Sequence, residues 1–248
     1  EKALISFLKM NIEICASPEL AEYADPSSPL GEKLQRYIPG FKPRLSIGLH
    51  VGWAIEGAIG SNHKIDASYL SPHINLAAQM ECFTRQFGVG MLISSTFYNC
   101  LGQDAKICCR KVDRVKFKGL SKPMMLYTYD CDYDGIQTKL KSIRLRAEHT
   151  SHLEEVIDRR ISLIGPSPII GHNRELAPIA ESAFRTDLEL RALQWELPLQ
   201  FLPICRKGVD VYLAGKWSQA KVLMEAACKI YPREAQGPCG RLLEFMAR

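Results

Sequence analysis

The chain has 248 residues, of which 46% are hydrophobic and 24% charged, and its formal net charge is +5. Such a composition describes an ordinary soluble protein with one substantial core and a smaller second unit. A membrane span within these residues is excluded, because no apolar run reaches the roughly eighteen residues that one requires, and no signal peptide opens the chain. The chain opens on Glu1 rather than Met, which points to a segment of a longer protein with room for a membrane anchor upstream. Its nine cysteines contain no C-x-x-C pair, and their odd number leaves at least one thiol unpaired. Reduced, mostly buried thiols and a cytoplasmic location are expected.

In "KALISFLKMNIEIC" apolar residues fall at Leu4, Phe7, Leu8, Ile12 and Ile14, the spacing of an amphipathic helix. The segment that follows carries Pro18, Pro26, Pro29, Pro39 and Pro43 among polar residues and reads as an irregular surface connection. Alternation begins at Leu45, Ile47 and Leu49 and continues at Trp53 and Ile55, which predicts a strand pair turning near Gly52, or one bent strand, before a turn at "GSNHK". A helix follows over "SPHINLAAQMECFTRQF", with Ser71 as its cap and Pro72 at its first position. Its inner face is predicted as Ile74, Ala77, Ala78, Met80 and Phe83, and Gly88 as its stop. A strand at "GMLIS", a short helix from about Ser95 to Leu101 and strands at "CCRKVDRVKFKG" and "MMLYTYD" complete the region. The order β-β-α-β-α-β-β predicts an α+β fold, an α/β sandwich with helices on the sheet faces.

Beyond Asp130 the texture changes. Residues 131–200 read as a linker with helical segments, broken at "GPSPIIG", and its basic run "KLKSIRLR" as a solvated helix face rather than a nucleic-acid or lipid patch. Residues 201–248 read as a helical hairpin in which Gly208, Tyr212, Gly215, Trp217, Ala220 and Leu223 are spaced as in half of a tetratricopeptide repeat, with Tyr212 and Trp217 in its core.

Four stretches carry chemistry: "GLHVG" at Gly48 to Gly52, "GAIG" at Gly57 to Gly60, "INLAAQME" at Ile74 to Glu81, and "DRVKFKG" leading to "LYTYD" between Asp113 and Asp130. In this order and at these separations they resemble the class III nucleotidyl cyclases, the catalytic domains of adenylyl and guanylyl cyclases. The resemblance covers residues 1–130 and implies a ferredoxin-like cyclase fold truncated at its N-terminus, followed by a mainly helical C-terminal region. The tail ending "GPCGRLLEFM" also looks like the C-terminal extension of some microbial and protist members.

The family implies a reaction and its parts. Two domains pair head to tail, and Mg²⁺ or Mn²⁺ held by aspartates activates the ribose 3′-hydroxyl of a nucleoside triphosphate for attack on the α-phosphate, expelling pyrophosphate. Asn75 matches an Asn that braces the ribose. Gln79, one helical turn on, falls where the family has an Arg that stabilises developing phosphate charge. Lys118 matches the lysine that meets the terminal phosphates, and Ser68 stands at a position that helps to choose the base. A serine hydroxyl serves adenine or guanine, with ATP favoured over GTP here. The family's metal-binding aspartates lie ahead of the helix that residues 1–15 match, so this segment holds no metal ligand. Asp66 and Asp113 read as turn or strand-edge carboxylates. His50 reads as a packed strand-end histidine, and His63 and His73 as too isolated for a metal site.

The resemblance implies part of a nucleotide cyclase for intracellular signalling, inactive alone and dependent on a second cyclase domain, as a homodimer or heterodimer. No nucleic-acid partner is expected. Location is expected to be cytoplasmic, either free or as the intracellular part of a membrane-anchored protein. Gln79 raises an alternative, a pseudocyclase that regulates a partner domain without turnover. A third reading is a helical-repeat scaffold.

Overall fold

The computed structural model describes residues 1–61, 63–132, 136–146 and 183–247. The "GPSPIIG" breaker lies outside them. A four-stranded sheet is built from β1 (Ile47–Leu49), β4 (Met91–Ser94), β5 (Cys109–Val115) and β6 (Met124–Tyr129), in the order β1-β4-β6-β5. β1 runs parallel to β4, and the other pairs are antiparallel. Alternation sends neighbouring residues of β4 to opposite faces. Met91 and Ile93 join Leu4, Leu8 and Ile12 of α1 (Lys2–Ala16) in one core layer, while Leu92 joins Leu76 and Met80 of α4 (Pro72–Phe87) in another. The α+β sandwich expected from the element order is therefore present over the first 130 residues.

Several local expectations are corrected. The proline-rich stretch holds two helices, α2 (Pro18–Ala21) and α3 (Pro29–Tyr37), because Ser17 and Ser28 each cap a helix whose first residue is proline. The alternation around Gly52 is no strand pair. β1 ends at Leu49, and β2 (Ile55–Ser61) belongs to a separate two-stranded sheet with β3 (Lys64–Leu70), turning at the predicted "GSNHK". Helix α4 starts and stops as predicted, with Ser71 accepting from the His73 N–H and Gly88 at φ 66°. Its buried residues are Leu76, Met80 and Thr84, while Ile74 and Ala78 point outwards. Gly48 permits this packing, since a Cβ there would overlap the Ala77 carbonyl of α4.

Helix α5 (Ser95–Asn99) is followed by α6 (Gln103–Cys108), while α7 (Ile136–Arg146) and α8 (Leu188–Ala192) flank the undescribed segment. Ile136, Leu140, Phe184, Leu190 and Leu193 all enter the α1 core layer, so the described parts of residues 131–200 pack as part of the first unit. The basic run lies on α7.

Helices α9 (Phe201–Leu213) and α10 (Trp217–Ile230) pack as a hairpin, extended by a 3₁₀ turn (Pro232–Gln236) and α11 (Pro238–Met246). Its core is Phe201, Cys205, Val209, Met224 and Leu242. Trp217 is not in that core. It is 47% exposed and lies between Tyr212 and Phe245, at ring separations of 6.1 Å from each, because it opens α10 directly after the turn of the hairpin.

This unit docks on the edge strand β5 and on the end of α4. Arg110 of β5 is buried and paired with both Asp130 and Glu234 of the 3₁₀ turn. Lys111 meets Asp210, and Arg206 donates to the Ile107 and Cys109 carbonyls. At Gly88 a Cβ would overlap the Gln236 carbonyl. Gly88→Ala therefore suffers both left-handed strain, about 1–2 kcal/mol, and a backbone collision. Gly40 has φ 78° with nothing within 4 Å, so Gly40→Ala suffers the strain alone. Denaturant unfolding is expected to rank Gly88→Ala as the more destabilising of the two.

Candidate functional site

Helix α4 organises the site. Its inward residues are taken by the core, which leaves Asn75 exposed and Gln79 half-buried on the outward side, separated by one turn. The preceding strand β3 presents Ser68 opposite Gly57 in the β2–β3 register. Ser68 is half-buried while its strand neighbours are exposed. Lys118 is exposed, one residue after Phe117, which is buried and meets Phe83 of α4 edge-on at 5.3 Å. That ring contact ties the loop carrying Lys118 to α4 one turn beyond Gln79. Ser68, Asn75 and Gln79 thus lie on one continuous hairpin-to-helix segment, and Lys118 is held to it through Phe117.

The hairpin is bare. Trp53, Ile55, Ile65, Tyr69 and Leu70 are each at least 58% exposed, with Ile74 beside them on α4. So many large apolar side chains on one two-stranded element form a surface of the kind that partners cover.

Asp66 is exposed on β3 and paired with Lys64 at 3.1 Å. Asp113 lies in the other sheet, half-buried, where burial pushes its carboxyl up against the lowering effect of the Arg114 N–H that it accepts from. The two do not converge. Among the described residues, the group of three donors close enough to share an ion is Cys205, Glu234 and Cys239. Glu234 is already engaged by Arg110 and the Cys239 N–H, and no residue of this set resembles a Mg²⁺ or Mn²⁺ cage. Among the described residues, neither Asp66 with Asp113 nor the Cys205–Glu234–Cys239 group fits the implied metal pair. Of the nine cysteines, none of which is in a disulfide, Cys109, Cys205 and Cys239 are buried, Cys82 and Cys100 are exposed and the rest are intermediate. Burial is thus less general than expected, because several thiols lie at helix ends.

Sequence reasoning missed one feature. His73, expected to stand alone, has its Nδ1 2.8 Å from the Nε2 of His50, with the rings stacked at 5.0 Å. His63 lies in the exposed hairpin turn. The signal was present in "GLHVG", where Gly52 leaves room that a Cβ would deny to the His73 ring.

No protein-family profile matches the chain. Over 88 residues, 34% of its length, the chain is 31% identical to an adenylate cyclase of Anabaena cylindrica, and it spans 18% of that protein. Among solved structures it is similar to a bacterial light-regulated adenylyl cyclase, at 22% identity and a TM-score of 0.39, covering 55% of this chain and 36% of the other. It is also similar to the adenylyl cyclase CyaB from P. aeruginosa, at 19% identity and a TM-score of 0.30, covering 51% and 82%. A third of the chain is therefore related in sequence to an adenylate cyclase.

Proposed function

We propose that this chain supplies the substrate-bracing half of an adenylyl cyclase site and works with a second cyclase domain that brings the metal-binding carboxylates. The observation that carries the reading is the outward Asn75–Gln79 face of α4, flanked by an apolar hairpin that is exposed among the described residues. In this reading Asn75 donates to the ribose, Lys118 neutralises terminal phosphate charge and Ser68 faces the base, with ATP the substrate and cyclic AMP and pyrophosphate the products. The partner covers the hairpin, as a second copy or a different cyclase domain, and the protein acts in the cytoplasm.

Gln79 favours a second reading. Its amide can donate hydrogen bonds but lacks the charge and fork of a guanidinium. A pseudocyclase that docks on a partner and sets its turnover needs no such charge. The experiment that tests the half-site reading measures cyclic AMP formed by the chain alone, by an active cyclase domain alone, and by their mixture, with Mn²⁺ and ATP. The half-site reading expects no product from the chain alone, because Asp66 and Asp113 are no metal pair. Turnover by the isolated chain well above a boiled control overturns it.

A further inference from the structure

We propose that His50 and His73 form a one-proton pair that positions the first turn of α4, and with it Asn75, and that a second proton breaks the pair and shifts this turn.

The geometry joins the two rings in one hydrogen-bonded chain with Ser94. Ser94 Oγ caps α5 by accepting from the Phe97 N–H, and it lies 2.9 Å from His50 Nδ1, nearer than its 3.4 Å to Thr96 Oγ1. We assign the serine hydroxyl as donor to His50 Nδ1 when that imidazole is neutral. Neutral His50 then carries its proton on Nε2 and donates it to His73 Nδ1 at 2.8 Å. One added proton is accommodated: on Nδ1 of His50 it points at Ser94 Oγ, which turns its own hydrogen away. A second added proton must go to His73 Nδ1, which sets two N–H groups head to head across 2.8 Å and joins two cations.

The pair is built into the fold. Gly52 admits the His73 ring, Trp53 meets that ring edge-on at 5.8 Å, and the Trp53 carbonyl accepts from Ser71 Oγ, the cap of α4. The groups facing His50 are His73 from α4, Ser94 and Thr96 from the β4–α5 junction, and Gly52 and Trp53 frame His73 from the connecting segment. Burial and the neighbouring His73 both lower the pKa of His50. Because a lowered folded pKa means that the unfolded chain binds the proton more readily, stability associated with His50 is present above about pH 6.5 and is lost as pH falls. His73 is the second residue of α4 and Asn75 the fourth, so movement of the ring moves the same turn.

The role given to Asn75 rests on the proposed function, but the pair itself does not, and the test reads the pair directly. Ring ¹⁵N and amide NMR spectra of the whole chain are recorded from pH 8 to pH 4, with His50→Gln and His73→Gln used for assignment. The expected result is two coupled steps more than about one pH unit apart, with the Asn75 backbone amide moving in the lower step. In either variant that Asn75 step disappears. Two independent titrations, or an Asn75 amide that stays fixed through the lower step, overturn the proposal whatever nucleotide assays show. Coupled steps with a moving Asn75 sustain it even where cyclic AMP is never formed.

Discussion

Replacing Glu234 by alanine is expected to cost the folded chain about 3–5 kcal/mol, the usual consequence of breaking a buried ion pair from one side. Arg110 is 1% exposed and bonds Asp130 at 2.6 and 2.9 Å and Glu234 at 2.8 and 3.1 Å, with its guanidinium 5.1 Å from the centre of the Phe201 ring. Burial works against its charge, and the two carboxylates outweigh burial and keep it protonated. Glu234→Ala leaves that charge with one partner and also orphans the Cys239 N–H. Exchanging Arg110, Asp130 and Glu234 together for methionine removes all three charges and is expected to cost less than the single change. Urea unfolding checks both variants. A loss below about 1 kcal/mol for Glu234→Ala would mean that the C-terminal helices are not clamped to β5 through this residue.

Gln79→Arg is expected to raise kcat roughly tenfold to a thousandfold when the chain is mixed with a domain that supplies the metal-binding carboxylates. The gain belongs to kcat because the guanidinium meets charge that develops as the α-phosphate is attacked, and KM moves less. Half-burial on an outward helix face leaves space for the longer side chain. Steady-state kinetics of the two mixtures are the check. If both mixtures lack cooperative turnover while the chain still alters the partner's own rate, the regulatory reading stands. If Gln79→Arg lowers an activity already present, Gln79 is itself the working residue.

Both predictions draw on features that differ in how openly the sequence displays them. Helix α4 was legible because its signals are local: Ser71 and Pro72 at the start, a glycine at the stop. Its inner face was misassigned because apolar identity was followed, placing Ile74 and Ala78 inwards, whereas the sheet takes the 76-80-84 row over Gly48. β3 was missed because alternation appears only where one face is buried, and "KIDASYL" is buried on neither. Pro18 and Pro29 read as breakers in the sequence, although each follows a serine cap. The repeat-like spacing puts Trp217 in a core, but it stands at the turn of a single hairpin with no further repeat packed over it among the described residues. The contacts that decide the architecture join residues far apart in the chain, Arg110 to Glu234 over 124 positions and His50 to His73 over 23. No window of local periodicity contains them.

The half-site claim is tested most directly by Asn75→Ala. The mixture is this chain with an adenylyl cyclase domain whose metal-binding aspartates are intact and whose own ribose-bracing helix has been disabled, so that any cyclic AMP depends on the helix supplied here. The account predicts product from the mixture and from neither component alone, with kcat reduced roughly a hundredfold by Asn75→Ala while binding between the two proteins is unchanged. Product formed at the same rate with and without the Asn75 amide, or no product from a mixture that does associate, would contradict it.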